Sequence, residues 1–270
     1  MGSTMSLSTL AMMKKAGLGQ GRFEMYQPWL RIRRNFSSPI SKQVFCNLTL
    51  RKSNHHLLSG GEYKVGLLNA WLGPEELREC LPMWPEDHRH PQCGFEHPDE
   101  PRLAKTQGLL DIAREAGIDH GYFIGTKIPY VGTCDLIFCC PVDVPIQKRL
   151  VFISCKSRSE IEGSPRARER LELDRRYALK AGGKHILEMG ERLPPTLIDN
   201  LDWMLPLRSE VKALKQHTGH SDFCSQLMNM SSEMPLGEAI ERSREKFRLS
   251  TRQGFNTSGW ACGCTELTSI

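Results

Sequence analysis

The sequence is short of the features that mark several large protein classes. It has no long apolar run: stretches such as Leu136 to Cys140 are broken by Pro141 and Asp143, far short of the ~18 residues a membrane-spanning helix needs. A soluble protein is expected. It has no strong excess of charge; 36 Lys and Arg stand against 31 Asp and Glu, and the resulting +5 does not by itself indicate nucleic-acid binding. Its ten cysteines, at positions 46, 80, 93, 134, 139, 140, 155, 224, 262 and 264, include no C-x-x-C pair of the kind found in zinc ribbons and dithiol redox sites. Cys139, Cys140 and Cys155 sit inside apolar runs, where a free thiol acts as a small hydrophobe, and a reducing cytoplasm is the expected compartment. An export signal is not indicated either, because Leu10 to Met13 precede Lys14 and Lys15, the reverse of a signal peptide's charge order. There is no internal repeat.

What is present is globular. With 270 residues, 39% apolar and 25% charged, the chain can form one or two domains of about 100–200 residues without disulfide staples. The basic residues are clustered: Arg31, Arg33, Arg34, Arg51 and Lys52 early on, then Arg166, Arg168, Arg170, Arg175, Arg176 and Lys180 within one short stretch. An anionic partner fits that distribution.

The glycines at 17, 19 and 21 suggest that residues 1–22 form a mobile arm. Ser59 opens a helix with Val65, Leu68 and Leu72 on one face, closed by Gly73-Pro74. Leu77 to Trp84 reads as extended, and residues 85–101 as a loop rich in Pro and His. A second helix runs from about Thr106 to Gly117, a natural C-terminal glycine. Cys134 to Cys140 and Leu150 to Cys155 are rich in strand formers; joined by a turn with Pro141, Asp143 and Pro145, they suggest an antiparallel pair. Ser164 and Pro165 then cap and start a helix with Ala167, Leu171 and Ala178 inward, and Lys184 to Met189 returns as a strand. Alternation of this kind makes an α/β domain over 23–190. Beyond Pro194-Pro195, Thr196 to Leu205, Ser209 to His217, Ser221 to Met230 and Leu236 to Leu249 read as helices, giving a smaller, mainly helical domain over 191–270.

One constellation carries chemistry. Strand alternation puts Ser154 and Lys156 on one face at the end of their strand. An antiparallel hairpin brings Asp135 beside that end, and Glu62 lies on an earlier helix. Carboxylates hold Mg²⁺ through oxygen, a bound metal activates water, and lysine offsets phosphate charge; this is the kit for metal-dependent phosphodiester cleavage. Plainer roles exist for each residue: Glu62, three after Ser59, fits a capping box, Asp135 a turn cap beside Gly132-Thr133, and Lys156 a solvated strand end.

The chain resembles TnsA, the endonuclease subunit of heteromeric transposases of the TnsABC type. The resemblance runs in order through Tyr26-Gln27-Pro28-Trp29-Leu30, His55 to Glu62, Leu77 to Pro82, Thr106-Gln107 with Ala116-Gly117-Ile118, Cys134-Asp135-Leu136-Ile137, Ser154-Cys155-Lys156 and Leu171 to Tyr177. It implies a restriction-endonuclease-like catalytic domain, a mixed sheet with flanking helices, and a winged-helix-like C-terminal domain for partner binding. It further implies two Mg²⁺ ions, replaceable by Mn²⁺, with Glu62, Asp135 and the Cys155 carbonyl as ligands and Lys156 as the catalytic lysine. Ser154 stands where the family usually carries Gln, so a shorter hydroxyl ligand is expected there. The implied activity is cleavage of the 5′, non-transferred strand at transposon ends. The implied partners are double-stranded DNA, a TnsB-like transposase and a TnsC-like AAA+ ATPase, in the cytoplasm and at the nucleoid when active. A non-catalytic assembly subunit and a stand-alone restriction or repair nuclease are the alternatives.

Arg168 and Arg175 share a helix face and are the first candidates for contacts to the DNA backbone, although Arg175 and Arg176 can instead pair with Glu172. His88, His90, Cys93 and His97 are metal-ligand types, but their spacing matches no familiar zinc site and Pro91 stiffens the segment, so an irregular loop is expected.

Overall fold

The computed structural model describes residues 5–32, 42–94, 99–140, 149–205, 219–250, 253–254 and 257–258. The chain divides into two compact units, Met1–Pro194 and Pro195–Ile270.

The first unit is α/β. It begins with helix α1 (Leu7–Lys15), capped by Ser6, whose hydroxyl accepts the Thr9 N–H at 3.1 Å. Residues 7–22 therefore differ from the arm their glycines suggest. Leu10 and Met13 pack beside Leu18, Trp29 and Val131. The glycines make ordered turns: Gly21 has φ +86°, and a Cβ there would lie 2.3 Å from the Met25 carbonyl oxygen.

Strands β1 (Val44–Cys46) and β2 (His55–Leu57) form an antiparallel pair, and helix α2 (Gly60–Trp71) follows, capped by Ser59. The main sheet holds β3 (Glu76–Met83), β4 (Gly132–Cys139), β5 (Leu150–Cys155) and β6 (Lys184–Glu188) in that order; β3–β4 and β4–β5 are antiparallel and β5–β6 parallel. The turn expected around Pro141 to Pro145 lies outside the described residues. All eight β3 residues are buried, so their pattern does not alternate. The charged ones are matched internally: Arg22 and Arg78 to Glu76, and Arg51 to Glu79. Helix α3 (Leu109–Ala116) ends on Gly117 at φ +67°, the left-handed turn expected of it.

Helices α4 (Arg158–Gly163) and α5 (Pro165–Lys180) fill the connection from β5 to β6. The core joins Leu173, Tyr177 and Ala178 of α5 to Tyr26, Leu81, Met83, Leu109, Ile112 and Phe152. The buried stripe of α5 is Leu173, Asp174, Tyr177 and Ala178, while Ala167 and Leu171 are only half-buried; an acid occupies an inward position. The 3-10 turn Gly190–Arg192 belongs to this unit, since a Cβ on Gly190 would lie 2.8 Å from Gly61 Cα.

The described part of the second unit is helical: α6 (Pro195–Met204), α7 (His220–Ser231) and α8 (Leu236–Lys246). Phe223, Leu227 and Ala239 are its buried centre, with Phe247 and Leu249 against them. The helix expected at 209–217 lies outside the described residues. Among the described residues no helix is long and apolar enough to cross a membrane.

Candidate active site

The site forms where β4 and β5 part. Their ladder runs from Cys139↔Leu150 to Leu136↔Ile153. Beyond it a side chain replaces the backbone partner: Asp135 Oδ2 accepts the Cys155 N–H at 2.8 Å. The same oxygen accepts Lys156 Nζ at 3.1 Å, and Nζ also donates to the Cys155 carbonyl at 3.2 Å. On its other side Lys156 gives its backbone N–H to the Glu188 carbonyl at 3.2 Å, prolonging the parallel pairing with β6. Lys156 is thus an ion-paired strand end, and Asp135 bonds across to β5 rather than capping a local turn. Burial pulls the Lys156 ammonium toward neutrality, but the Asp135 carboxylate outweighs it and raises the pKa. The Cys155 thiol is pushed up, chiefly by burial and then by Asp135 and Glu62, so its sulfur stays protonated.

Glu62 arrives in the first turn of α2. Its N–H is capped by Ser59 Oγ at 3.1 Å, and its carboxylate accepts the Leu58 N–H at 2.8 Å and the Ser59 hydroxyl at 3.1 Å. Glu62 thus makes the helix-start contacts that its spacing from Ser59 predicts. Glu62 is only 5% exposed, and its pKa is raised to about 8, first by burial and then by Asp135, against the lowering effect of its hydrogen bonds and Lys156. The two carboxylates share one electrostatic site.

Cys80 stands opposite Asp135 in the β3–β4 register, between Glu79↔Leu136 and Leu81↔Cys134, yet it drops out of the ladder with φ +48° and gives its carbonyl to the Trp29 N–H at 3.2 Å. A left-handed non-glycine residue costs ~1–3 kcal/mol, and this one stands opposite Asp135.

Ser154 is fully buried and already committed: its hydroxyl donates to Asp174 Oδ2 at 2.9 Å and lies 3.0 Å from His185 Nε2. It joins the site through Asp174 rather than as a free oxygen ligand. The Asp174 pKa is raised to about 7, by burial first and by Asp135 second, with Ser154, Arg170 and Lys156 opposing. On sequence alone Asp174 reads as one of the acids of a solvated helix face, and His185 does not stand out. A signal existed: Asp174 lies at i+3 from Leu171 and i−4 from Ala178, on the stripe assigned to the core.

Arg168 and Arg175 do not converge on this centre. Arg168 Nη1 donates to the Ile161 and Glu162 carbonyls at 2.8 and 3.2 Å, tying α4 to α5. Arg175 binds Glu172 through two nitrogens at 2.7 and 2.8 Å, and Arg176 shares that carboxylate at 2.7 Å. The His-rich loop is structural where described. His88 spends both ring nitrogens on the Glu86 carbonyl and the Tyr177 hydroxyl, and His90 on the Ala181 carbonyl and the Gln92 N–H, while His97 lies outside the described residues.

Among the described residues, no group of three or more His, Cys, Asp or Glu side chains converges as a metal cage. At the fork the oxygen groups are the Asp135 carboxylate and the Cys155 carbonyl, with the Glu62 carboxylate coupled to Asp135 electrostatically. That set fits Mg²⁺, which is commonly held by one or two carboxylates with waters and substrate oxygens completing the shell. Glu62 is consistent with it: a buried acid carrying a proton near neutral pH is one a divalent cation would ionise.

No family model matches the chain. It is 27% identical over 209 residues to the transposon Tn7 transposition protein TnsA of Escherichia coli, covering 77% of this chain. That likeness supports a TnsA-like relationship. The match spans 66% of the length of that protein, just under two thirds.

Proposed function

We propose that this chain is a metal-dependent DNA endonuclease acting inside a cut-and-paste transposition complex, its first unit a restriction-endonuclease-like catalytic domain. The observation that carries the reading is the fork at Asp135, where one carboxylate holds both the Cys155 N–H and the Lys156 ammonium beside buried Glu62. Glu62, Asp135 and the Cys155 carbonyl would hold Mg²⁺, whose chemistry there is polarisation of a phosphoryl oxygen and activation of water. The remaining work falls to the chain. Lys156 keeps its proton at neutral pH and offers an ammonium to charge developing on the phosphate. Without metal Asp135 holds that ammonium beside the fork, and Asp174 with His185 fixes Ser154 on the strand behind it.

The similarity to TnsA favours cleavage of the 5′, non-transferred strand at transposon ends, with a TnsB-like transposase cutting the 3′ strand and a TnsC-like ATPase bound through the helical second unit. Such a subunit works at the nucleoid. Arg168, whose bonds to neutral carbonyls leave its charge uncompensated, is the stronger backbone contact; Arg175 is offset by Glu172. Strand-mapped cleavage in a reconstituted complex tests the reading. Asp135→Ala is expected to abolish 5′ cuts while 3′ cuts persist. Persistence of 5′ cuts refutes the assignment, and cleavage by the purified chain alone identifies a stand-alone nuclease instead.

A further inference from the structure

Next to the fork lies a cleft of about 440 Å³, within the range of ~300–1,000 Å³ typical of ligand sites. Its lining includes Gly60 and Gly61 from the start of α2, Cys155 at the end of β5 with Lys156 and Ser157 after it, and Lys42 and Lys64. Three lysines, 42, 64 and 156, therefore border one hollow. Lys156 is shared with Asp135, but among the described residues Lys42 and Lys64 have no carboxylate partner. Two acids also line the cleft, and each is turned to its own backbone. Glu160 accepts the Ser157 N–H and hydroxyl at 2.8 and 2.9 Å, and Glu191 accepts the Arg158 N–H at 3.1 Å. Those neutral donors fix the two carboxylates in place without cancelling their charge, so the lining sets three lysines against two glutamates, and Lys42 and Lys64 are the cations left for a ligand.

The glycines supply an independent reason. Neither Gly60 nor Gly61 has the positive φ that demands glycine; a Cβ on Gly60 would meet nothing within 4 Å, and one on Gly61 would come no nearer than 3.7 Å to Ser59 Oγ. The fold would accept alanine at both, and alanine favours a helix more than glycine does. What a side chain at Gly60 would occupy is the open space of the cleft. A glycine pair with open space in front of it lets a ligand approach the backbone closely.

We propose that this cleft binds a backbone phosphate of a DNA strand next to the one being cut, with Lys42 and Lys64 neutralising it and Gly60-Gly61 leaving room for it. The location rests on the nuclease reading, whereas the test is one of binding alone. The full-length chain is titrated with a fluorescent DNA duplex in Ca²⁺ across a range of salt concentrations. The Lys42→Ala/Lys64→Ala double variant is expected to bind more weakly and to lower the slope of log K against log salt by about one, the signature of one lost phosphate contact. Gly60→Leu, which fills the hollow, is expected to weaken binding with an unchanged melting temperature, and Lys64→Arg to restore it. An unchanged affinity and slope in the double variant overturn the proposal, as does a wild-type chain that fails to bind the duplex at low salt. If the double variant loses binding but Asp135→Ala leaves 5′ cleavage intact, the cleft stands and the catalytic assignment falls.

Discussion

Lys156 Nζ sits between Asp135 Oδ2, at 3.1 Å, and the Cys155 carbonyl, at 3.2 Å, so one ammonium bridges the two oxygens assigned here to a divalent cation. A metal bound as proposed would therefore compete with the lysine for the same donors. Lys156→Ala is expected to reduce cleavage by about 10²–10³-fold, the usual scale for losing a preorganised charge stabiliser, while Mn²⁺ binding is retained or tightened. Calorimetric titration beside a cleavage assay checks this; loss of Mn²⁺ binding in the variant contradicts it.

The raised pKa of Glu62 fixes the sign of a pH effect. Its folded value of about 8 stands above the ordinary 4.5, so between those limits the folded state binds more protons than the unfolded state. Stability of the metal-free protein is then expected to fall as pH rises from 4.5 through 8, and Asp174, at about 7, acts in the same direction. Glu62→Gln should flatten the upper part of that decline and melt higher than wild type above pH 8. Metal affinity should rise over the same window, because binding expels the proton. Melting temperatures in a chelator across the pH range decide the matter; a variant less stable than wild type at alkaline pH refutes it.

How much of this was legible in the sequence depended on periodicity. The β4–β5 pair, the caps at Ser59 and Ser164 and the stop at Gly117 followed from local pattern, and the hairpin logic brought Asp135 to Lys156. Asp174 was hidden because an acid on an apolar stripe is read as solvent-facing unless its partner is known, and its partner Ser154 lies 20 residues away. Helix α1 was hidden for a related reason. Its glycines signal turns equally well in ordered and loose chain, and what decides is tertiary contact of Leu10 and Met13 beside Trp29. Strand β3 shows no alternation because Glu76, Arg78 and Glu79 are buried against partners distant in sequence.

Ser154 separates a structural role from a ligating one. Ser154→Ala removes a hydrogen-bond donor from buried Asp174 and is expected to cost ~1–3 kcal/mol of stability, measured by denaturant unfolding in a chelator. A variant of unchanged stability with weakened Mn²⁺ binding would show instead that the hydroxyl is a metal ligand.

The Arg51–Glu79 pair is a second stability test, away from the chemistry. The two meet at 2.5 Å with side chains 3% and 0% exposed, and Glu79 also accepts the His56 N–H at 3.0 Å. Arg51→Met leaves a buried carboxylate without its cation and is expected to destabilise by about 3–5 kcal/mol. Thermal or denaturant unfolding checks it; a loss under 1 kcal/mol, a threshold about a third of the expected minimum, contradicts a buried pair.

The most direct test of the central claim is anomalous diffraction from a crystal soaked in Mn²⁺. The expected result is a peak bonded to Glu62, Asp135 and the Cys155 carbonyl, with the Lys156 ammonium displaced from both of its present acceptors. A fork without a peak, with Lys156 still bridging Asp135 and Cys155 at saturating Mn²⁺, would contradict a metal-dependent nuclease centre at this site.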